Sequence, residues 1–121
     1  MERYDIIVIG SGPGGYVAAI RAAQCGKRVA IVERADAGGV CLNWGCIPTK
    51  ALLKNAEVYN TMAKHAAEFG ISCGDVSVDW PAVIARSRGI SDRLSNGIAF
   101  LFKKNKIAGM TGTARITAPG K

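Results

Sequence analysis

The stretch Tyr4-Asp5-Ile6-Ile7-Val8-Ile9-Gly10-Ser11-Gly12-Pro13-Gly14-Gly15 is an apolar, β-branched run that breaks directly into a glycine turn. Residues Tyr16 to Ala23 follow with helix-forming character, so the order is strand, turn, helix. Gly10, Gly12 and Gly15 keep the spacing G-x-G-x-x-G. In that spacing the glycines permit a tight turn, close approach of a pyrophosphate and close packing of helix on strand. The start of the helix offers unpaired N–H groups to phosphate oxygens. After Gly26 a second apolar strand, Val29 to Val32, leads to Glu33. An acidic side chain about 20 residues past the glycines is suited to accept hydrogen bonds from a ribose. The alternative is a plain βαβ unit with a glycine-rich turn, and the fingerprint does not separate NAD from FAD.

Outward from this unit lies Gly38-Gly39-Val40-Cys41-Leu42-Asn43-Trp44-Gly45-Cys46-Ile47-Pro48-Thr49-Lys50. Its C-x₄-C spacing is neither that of a zinc knuckle nor that of a thioredoxin site, and the sole histidine, His65, is remote in sequence. No metal site is expected, and His65 reads as a helix-surface or packing residue. A helix starting near Cys46 carries Lys50 one turn further along the same face. Pro48 is tolerated there because first-turn N–H groups have no helical acceptor. A cysteine at a helix N-terminus is favoured as thiolate by the helix dipole. Cys25 and Cys73 stand alone and read as small packing residues.

On these two motifs the chain resembles the pyridine nucleotide-disulfide oxidoreductases, which implies a partial Rossmann-like FAD-binding domain: an α/β fold with a parallel sheet, flanking helices and a helical excursion. The resemblance spans residues 1–121 but only the N-terminal part of such a subunit, so NAD-binding and dimer-interface domains are expected to lie outside it. It implies a redox disulfide between Cys41 and Cys46, with Cys41 as interchange thiol, Cys46 as charge-transfer thiol beside the flavin and Lys50 as its electrostatic partner. FAD contacts are implied for Gly10, Gly12, Pro13, Gly14, Gly15, Glu33, Arg34, Gly39, Val40, Cys41, Lys50 and Ala114. The wording Cys-Leu-Asn-Trp-Gly-Cys-Ile-Pro-Thr-Lys-Ala-Leu-Leu is most similar to the branch that oxidises protein-bound dihydrolipoamide and reduces NAD⁺. The partners implied are lipoyl groups of 2-oxo acid dehydrogenase complexes or of the glycine cleavage system, and a second subunit in a homodimer. Glutathione- and mercuric-reductase relatives share the motifs and remain alternatives, as does a stand-alone non-catalytic nucleotide-binding module. Val40 stands where many relatives have Thr, and Trp44 replaces a smaller apolar residue.

The remaining chain carries helical spacing from Ala51 through Leu52, Ala56, Tyr59, Ala63 and Ala66 to a stop at Gly70, a face expected to pack on the sheet. Asp79 is placed to cap a second helix with Pro81 in its first turn, and Val83, Ser87, Ile90, Leu94, Ile98 and Leu101 form its buried stripe. This pair reads as a hairpin with no ligand role. Ile107 to Thr117 reads as a strand before a turn at Pro119-Gly120. With 121 residues, 49% of them apolar, one domain with a single core is expected. The net charge of +7 is spread along the chain apart from Lys103, Lys104 and Lys106 at an expected helix end, which argues against a nucleic-acid partner. The apolar run Ile6 to Ile9 is too short to cross a bilayer or form a signal-peptide core. With Met1 so close to the first strand, the expected setting is a bacterial cytoplasm.

Overall fold

The computed structural model describes residues 2–120, and none of their helices is long and apolar enough to cross a membrane. Strand β1 (Ile6–Ile9) runs into helix α1 (Pro13–Gln24), and β2 (Val29–Glu33) follows. Next come a short helix α2 (Gly39–Asn43) and helix α3 (Cys46–Asn60), which continues as a π-helical turn, Thr61–His65, and a 3₁₀ turn, Ala66–Phe69. The long helix α4 (Trp80–Lys104) then returns the chain to β3 (Ala108–Thr111).

The three strands form one parallel sheet in the order β1-β2-β3. Ile6 to Ile9 pair with Val29 to Val32, and Ala30 to Glu33 pair with Ala108 to Thr111. Partners in a parallel ladder share a face, so Val29 and Ile31 point one way with Val8 beside them, while Ile7, Ile9 and Met110 point the other. On the first face Val29 and Ile31 join Ala19 of α1, Ile98 and Phe102 of α4, and Ile107 in the core cluster. On the second face Ile7 and Ile9 remain more than half exposed.

The turn from β1 into α1 is built as the glycine spacing requires. Gly10 has φ +91°, a left-handed value that glycine adopts without strain. Pro13 occupies the first turn of α1, where its missing N–H costs nothing. Asp79 caps α4 by accepting from the Ala82 N–H at 3.1 Å, and Pro81 follows it, both as expected.

Several expectations are corrected. The face of α3 packs against α4 and α2 and not against the sheet, because α1 and α4 already cover the sheet's buried side. Regular α-helix ends at Asn60, where the Thr61 hydroxyl donates to the Glu57 carbonyl at 2.9 Å, a back-bond that disturbs helical geometry. The helical course still stops at Gly70, whose φ is +70°. The third strand ends at Thr111, since Gly112 turns away with φ +153°, so residues 112–117 lie outside the sheet. Leu94 is 40% exposed, and Ser91 and Phe102 belong to the buried stripe of α4 instead. Cys25 and Cys73 are both exposed and pack in no core; the Cys73 thiol donates to the Met62 carbonyl.

Candidate active site

The glycine turn presents two kinds of glycine. At Gly15 an added Cβ would meet the Gly10 carbonyl oxygen at 2.0 Å, so this glycine exists to let α1 start against the end of β1. At Gly12 and Gly14 an added Cβ would meet nothing within 4 Å. Packing does not demand glycine at either position, and the backbone there is left bare to whatever approaches the N-terminus of α1. Oriented N–H groups and the positive end of a twelve-residue helix favour an anion at that place.

Glu33 ends β2 beside this turn. Its Oε2 accepts from the Ser11 N–H and the Ser11 hydroxyl, each at 2.8 Å, and its Oε1 accepts from the Ala35 N–H at 3.1 Å. Burial raises the carboxyl pKa, but the hydrogen bonds from Ser11 and from the backbone at Ala35 and Arg34 outweigh it and hold the group below the ordinary glutamate range. The carboxylate is therefore charged and oriented. Arg34 is exposed just beyond it. The Gly112 N–H donates to the Glu33 carbonyl at 2.8 Å, which holds Gly112 at the same end of the sheet.

The cysteine segment is clamped onto the glycine turn. Gly38 and Gly39 have φ of +95° and +61°, and a Cβ on Gly39 would sit 2.8 Å from the Gly12 Cα. Gly39 is thus the contact between the two motifs. The Gly38 N–H donates to the Ser11 hydroxyl at 3.2 Å. Buried Asn43 gathers the segment by donating its side-chain amide to the carbonyls of Asp36, Ala37 and Gly39 at 3.0–3.4 Å. Helix α4 holds it from behind: Ser95 donates to the Ala37 carbonyl at 2.7 Å, Arg88 to the Asn43 carbonyl at 2.8 Å and Arg86 to the Ala51 carbonyl at 3.2 Å. The expected hairpin without a ligand role is thus a brace for the cysteine segment.

Cys41 lies on α2, and Cys46 opens α3. Cys41 is half-buried and Cys46 exposed, and neither is in a disulfide. A hydrogen bond with the Cys46 sulfur raises the Cys41 pKa most, burial adds to this, and the Lys50 ammonium pulls the other way. Cys41, Cys46 and Lys50 therefore share one neighbourhood. Val40 and Trp44 are exposed at 65% and 56% beside them.

The family profile described as pyridine nucleotide-disulphide oxidoreductase matches residues 4–121. The chain belongs to the pyridine nucleotide-disulphide oxidoreductases. Among relatives, a dihydrolipoyl dehydrogenase of Rhizobium etli is 59% identical over 121 residues, covering 99% of this chain and 25% of the relative. One from Acholeplasma laidlawii is 53% identical over 107 residues, 88% of this chain and 32% of the relative. One from Zymomonas mobilis is 50% identical over 116 residues, 96% of this chain and 25% of the relative. The chain thus spans a quarter to a third of these relatives' length.

Within this family member, the structure brings the sequence-identified residues into two adjoining groups: Gly10 to Gly15 with Glu33, and Gly39 to Cys41 with Cys46 and Lys50, while no hydrogen bond among the described residues ties Ala114 to either. Sequence reading passed over Ser11, Asn43, Arg88 and Ser95. Ser11 could have been noticed as the one hydroxyl inside the glycine turn. Nothing in the local pattern marks Asn43, and the two α4 residues lie more than 40 positions from the carbonyls they hold.

Proposed function

We propose that the chain is the FAD-binding, dithiol-bearing part of a dihydrolipoyl dehydrogenase. The carrying observation is the single clamp that joins the bare glycine turn, oriented Glu33 and the Cys41-Cys46 pair through Gly39 and Ser11. The turn fits FAD: Gly12 and Gly14 leave open the space that a pyrophosphate needs, with Pro13 and Gly15 completing the helix start. Glu33 would take the adenosine ribose and Ala114 the adenine side, with Arg34 at the rim. Gly39, Val40, Cys41 and Lys50 would face the flavin portion. When bound, FAD supplies a two-electron acceptor for the dithiol pair.

The protein's own sulfurs carry the exchange. A thiolate of dihydrolipoamide attacks the Cys41 sulfur of the oxidised pair, the Cys41–Cys46 bond breaks, and Cys46 leaves as thiolate. The second substrate thiolate then attacks its own sulfur in the mixed disulfide, which releases cyclic lipoamide disulfide and the Cys41 thiolate. Lys50 favours the anionic Cys41 sulfur by its charge. NAD⁺ as final acceptor, a homodimeric assembly, lipoyl groups of 2-oxo acid dehydrogenase complexes or the glycine cleavage system as partners, and a cytoplasmic setting all belong to this proposal. So does the placement of the NAD-binding and interface domains in other parts of a longer polypeptide. The dihydrolipoyl dehydrogenase name of the relatives supports the lipoyl substrate over glutathione or a mercuric ion.

The test is to trap the mixed disulfide in reverse. Lipoamide disulfide is added to reduced Cys46→Ser and Cys41→Ser chains, the lipoyl thiol freed in any mixed disulfide is capped with N-ethylmaleimide so that it cannot close back, and adducts are read by peptide-resolved mass spectrometry. A capped adduct on Cys41 of Cys46→Ser, with far less on Cys46 of Cys41→Ser, is expected. Equal labelling of the two sulfurs, or labelling of Cys25 and Cys73 to the same extent, contradicts the assignment.

A further inference from the structure

Ser11 is fully buried inside the glycine turn, although its motif position places no demand on its side chain. Its N–H and its hydroxyl both donate to Oε2 of Glu33, while the hydroxyl also accepts from the Gly38 N–H. A carboxylate offers about four lone-pair sites. Ser11 occupies both on Oε2, while Oε1 accepts from the Ala35 N–H and the Arg34 backbone also hydrogen-bonds the carboxylate. A further donor therefore finds Oε2 filled and can approach only at Oε1.

We propose that Ser11 is a positioning residue that turns Glu33 so that only Oε1 is open to an adenine nucleotide's ribose, which makes Ser11 a determinant of ribose affinity. The proposal rests on the dinucleotide reading above. A glutamate free to rotate would have to be ordered when a ribose binds, and Ser11 has ordered it beforehand. The same hydroxyl ties Glu33 to Gly38, so the carboxylate and the start of the cysteine segment keep one fixed separation. Removing the hydroxyl leaves the backbone N–H of residue 11 on Oε2 but takes away one of the bonds that hold the carboxylate, so part of its ordering has to be supplied when the ligand binds.

The experiment is a heteronuclear NMR titration of the chain with ADP and with 2′,3′-dideoxy-ADP, which keeps the pyrophosphate and adenine but lacks both ribose hydroxyls. The unsubstituted chain should prefer ADP, and Glu33→Gln should lose most of that preference. Ser11→Ala should weaken ADP binding about three- to tenfold, the worth of one net hydrogen bond, and leave the dideoxy compound within about twofold. Equal weakening of both ligands would show a merely structural role and overturn the proposal, as would unchanged ADP binding. If the unsubstituted chain shows no preference for ADP, the ribose reading falls and this proposal with it. If that preference is present and survives Ser11→Ala intact, only the assignment to Ser11 falls. Circular dichroism checks the fold of Ser11→Ala; should it not fold, Ser11→Cys, of similar size with a weak donor, is judged by the same criteria.

Discussion

Replacing Gly12 and Gly15 separately by alanine should separate a glycine kept for a ligand from a glycine kept for packing. At position 15 the new methyl would lie 2.0 Å from the Gly10 oxygen and 3.0 Å from the Gly10 carbonyl carbon. Relief requires the end of β1 and the first turn of α1 to part by roughly 1.4 Å, because ordinary contact begins near 3.4 Å. Backbone cannot yield as a side chain does. Overpacking of this kind costs about 3 kcal/mol, a large share of the roughly 5–15 kcal/mol that holds a domain together. For a chain of this size that is a fall in Tm of roughly 10–15 °C. At position 12 the methyl meets nothing within 4 Å, and φ is −63°, a value alanine adopts freely. The poorer capping of alanine is offset by its stiffer unfolded chain, so Gly12→Ala should stay within about 1 kcal/mol of the parent. It should nevertheless weaken ADP at least about tenfold, because the methyl takes the space through which a pyrophosphate approaches. Thermal denaturation followed by circular dichroism, with an ADP titration of each folded variant, reads both quantities. Equal Tm losses for the two variants, or parental ADP affinity in Gly12→Ala, would refute the reasoning.

Glu33 has a lowered pKa in the folded state, so its hydrogen bonds stabilise the protein above the ordinary glutamate value, and this contribution is lost as pH falls through the lower folded value. The Tm gap between parent and Glu33→Gln should therefore be constant near neutral pH and close in acid; a gap that widens in acid contradicts it. Asn43→Asp places a buried carboxylate against the carbonyls of Asp36, Ala37 and Gly39, which accept and cannot donate, and should cost about 3 kcal/mol in urea unfolding. A loss below about 1 kcal/mol would show that the amide is not the brace. The Ser91 hydroxyl is buried without a partner among the described residues, so Ser91→Ala should raise stability by about 1 kcal/mol, and a loss of stability would reveal a missed partner. Cys46→Ala removes the hydrogen bond that most raises the Cys41 pKa. Alkylation of Cys41 at mildly alkaline pH should then speed up several-fold; an unchanged rate would place the cause elsewhere.

The strand-turn-helix unit at Ile6 to Gln24, the return strand to Glu33 and the capped helix after Asp79 were legible because each is written in short-range terms. Glycine spacing, proline at a first turn, an aspartate cap and runs of β-branched residues act within a few positions of themselves. The cysteine pair was legible for the same reason. The short helix α2 was not, since five residues that begin with Gly39 and lie between Gly38 and Gly45 have no intrinsic tendency to fold as helix. It stands because Asn43 and Arg88 hold the carbonyls of Gly39 and Asn43 within it and Ser95 holds that of Ala37 just before it.

By itself, then, the sequence determined the kind of unit, the residues of the glycine turn, the acid that follows it and the pair of sulfurs beside a lysine. Only the tertiary structure decided how these parts are joined. Gly39 is pressed on Gly12, Ser11 bridges Glu33 and Gly38, and α4 braces α2 from more than 40 residues away. Such contacts depend on which backbone groups are brought within about 3 Å of one another. No local periodicity encodes that distance, because it is set by the packing of α1 and α4 on one face of the sheet.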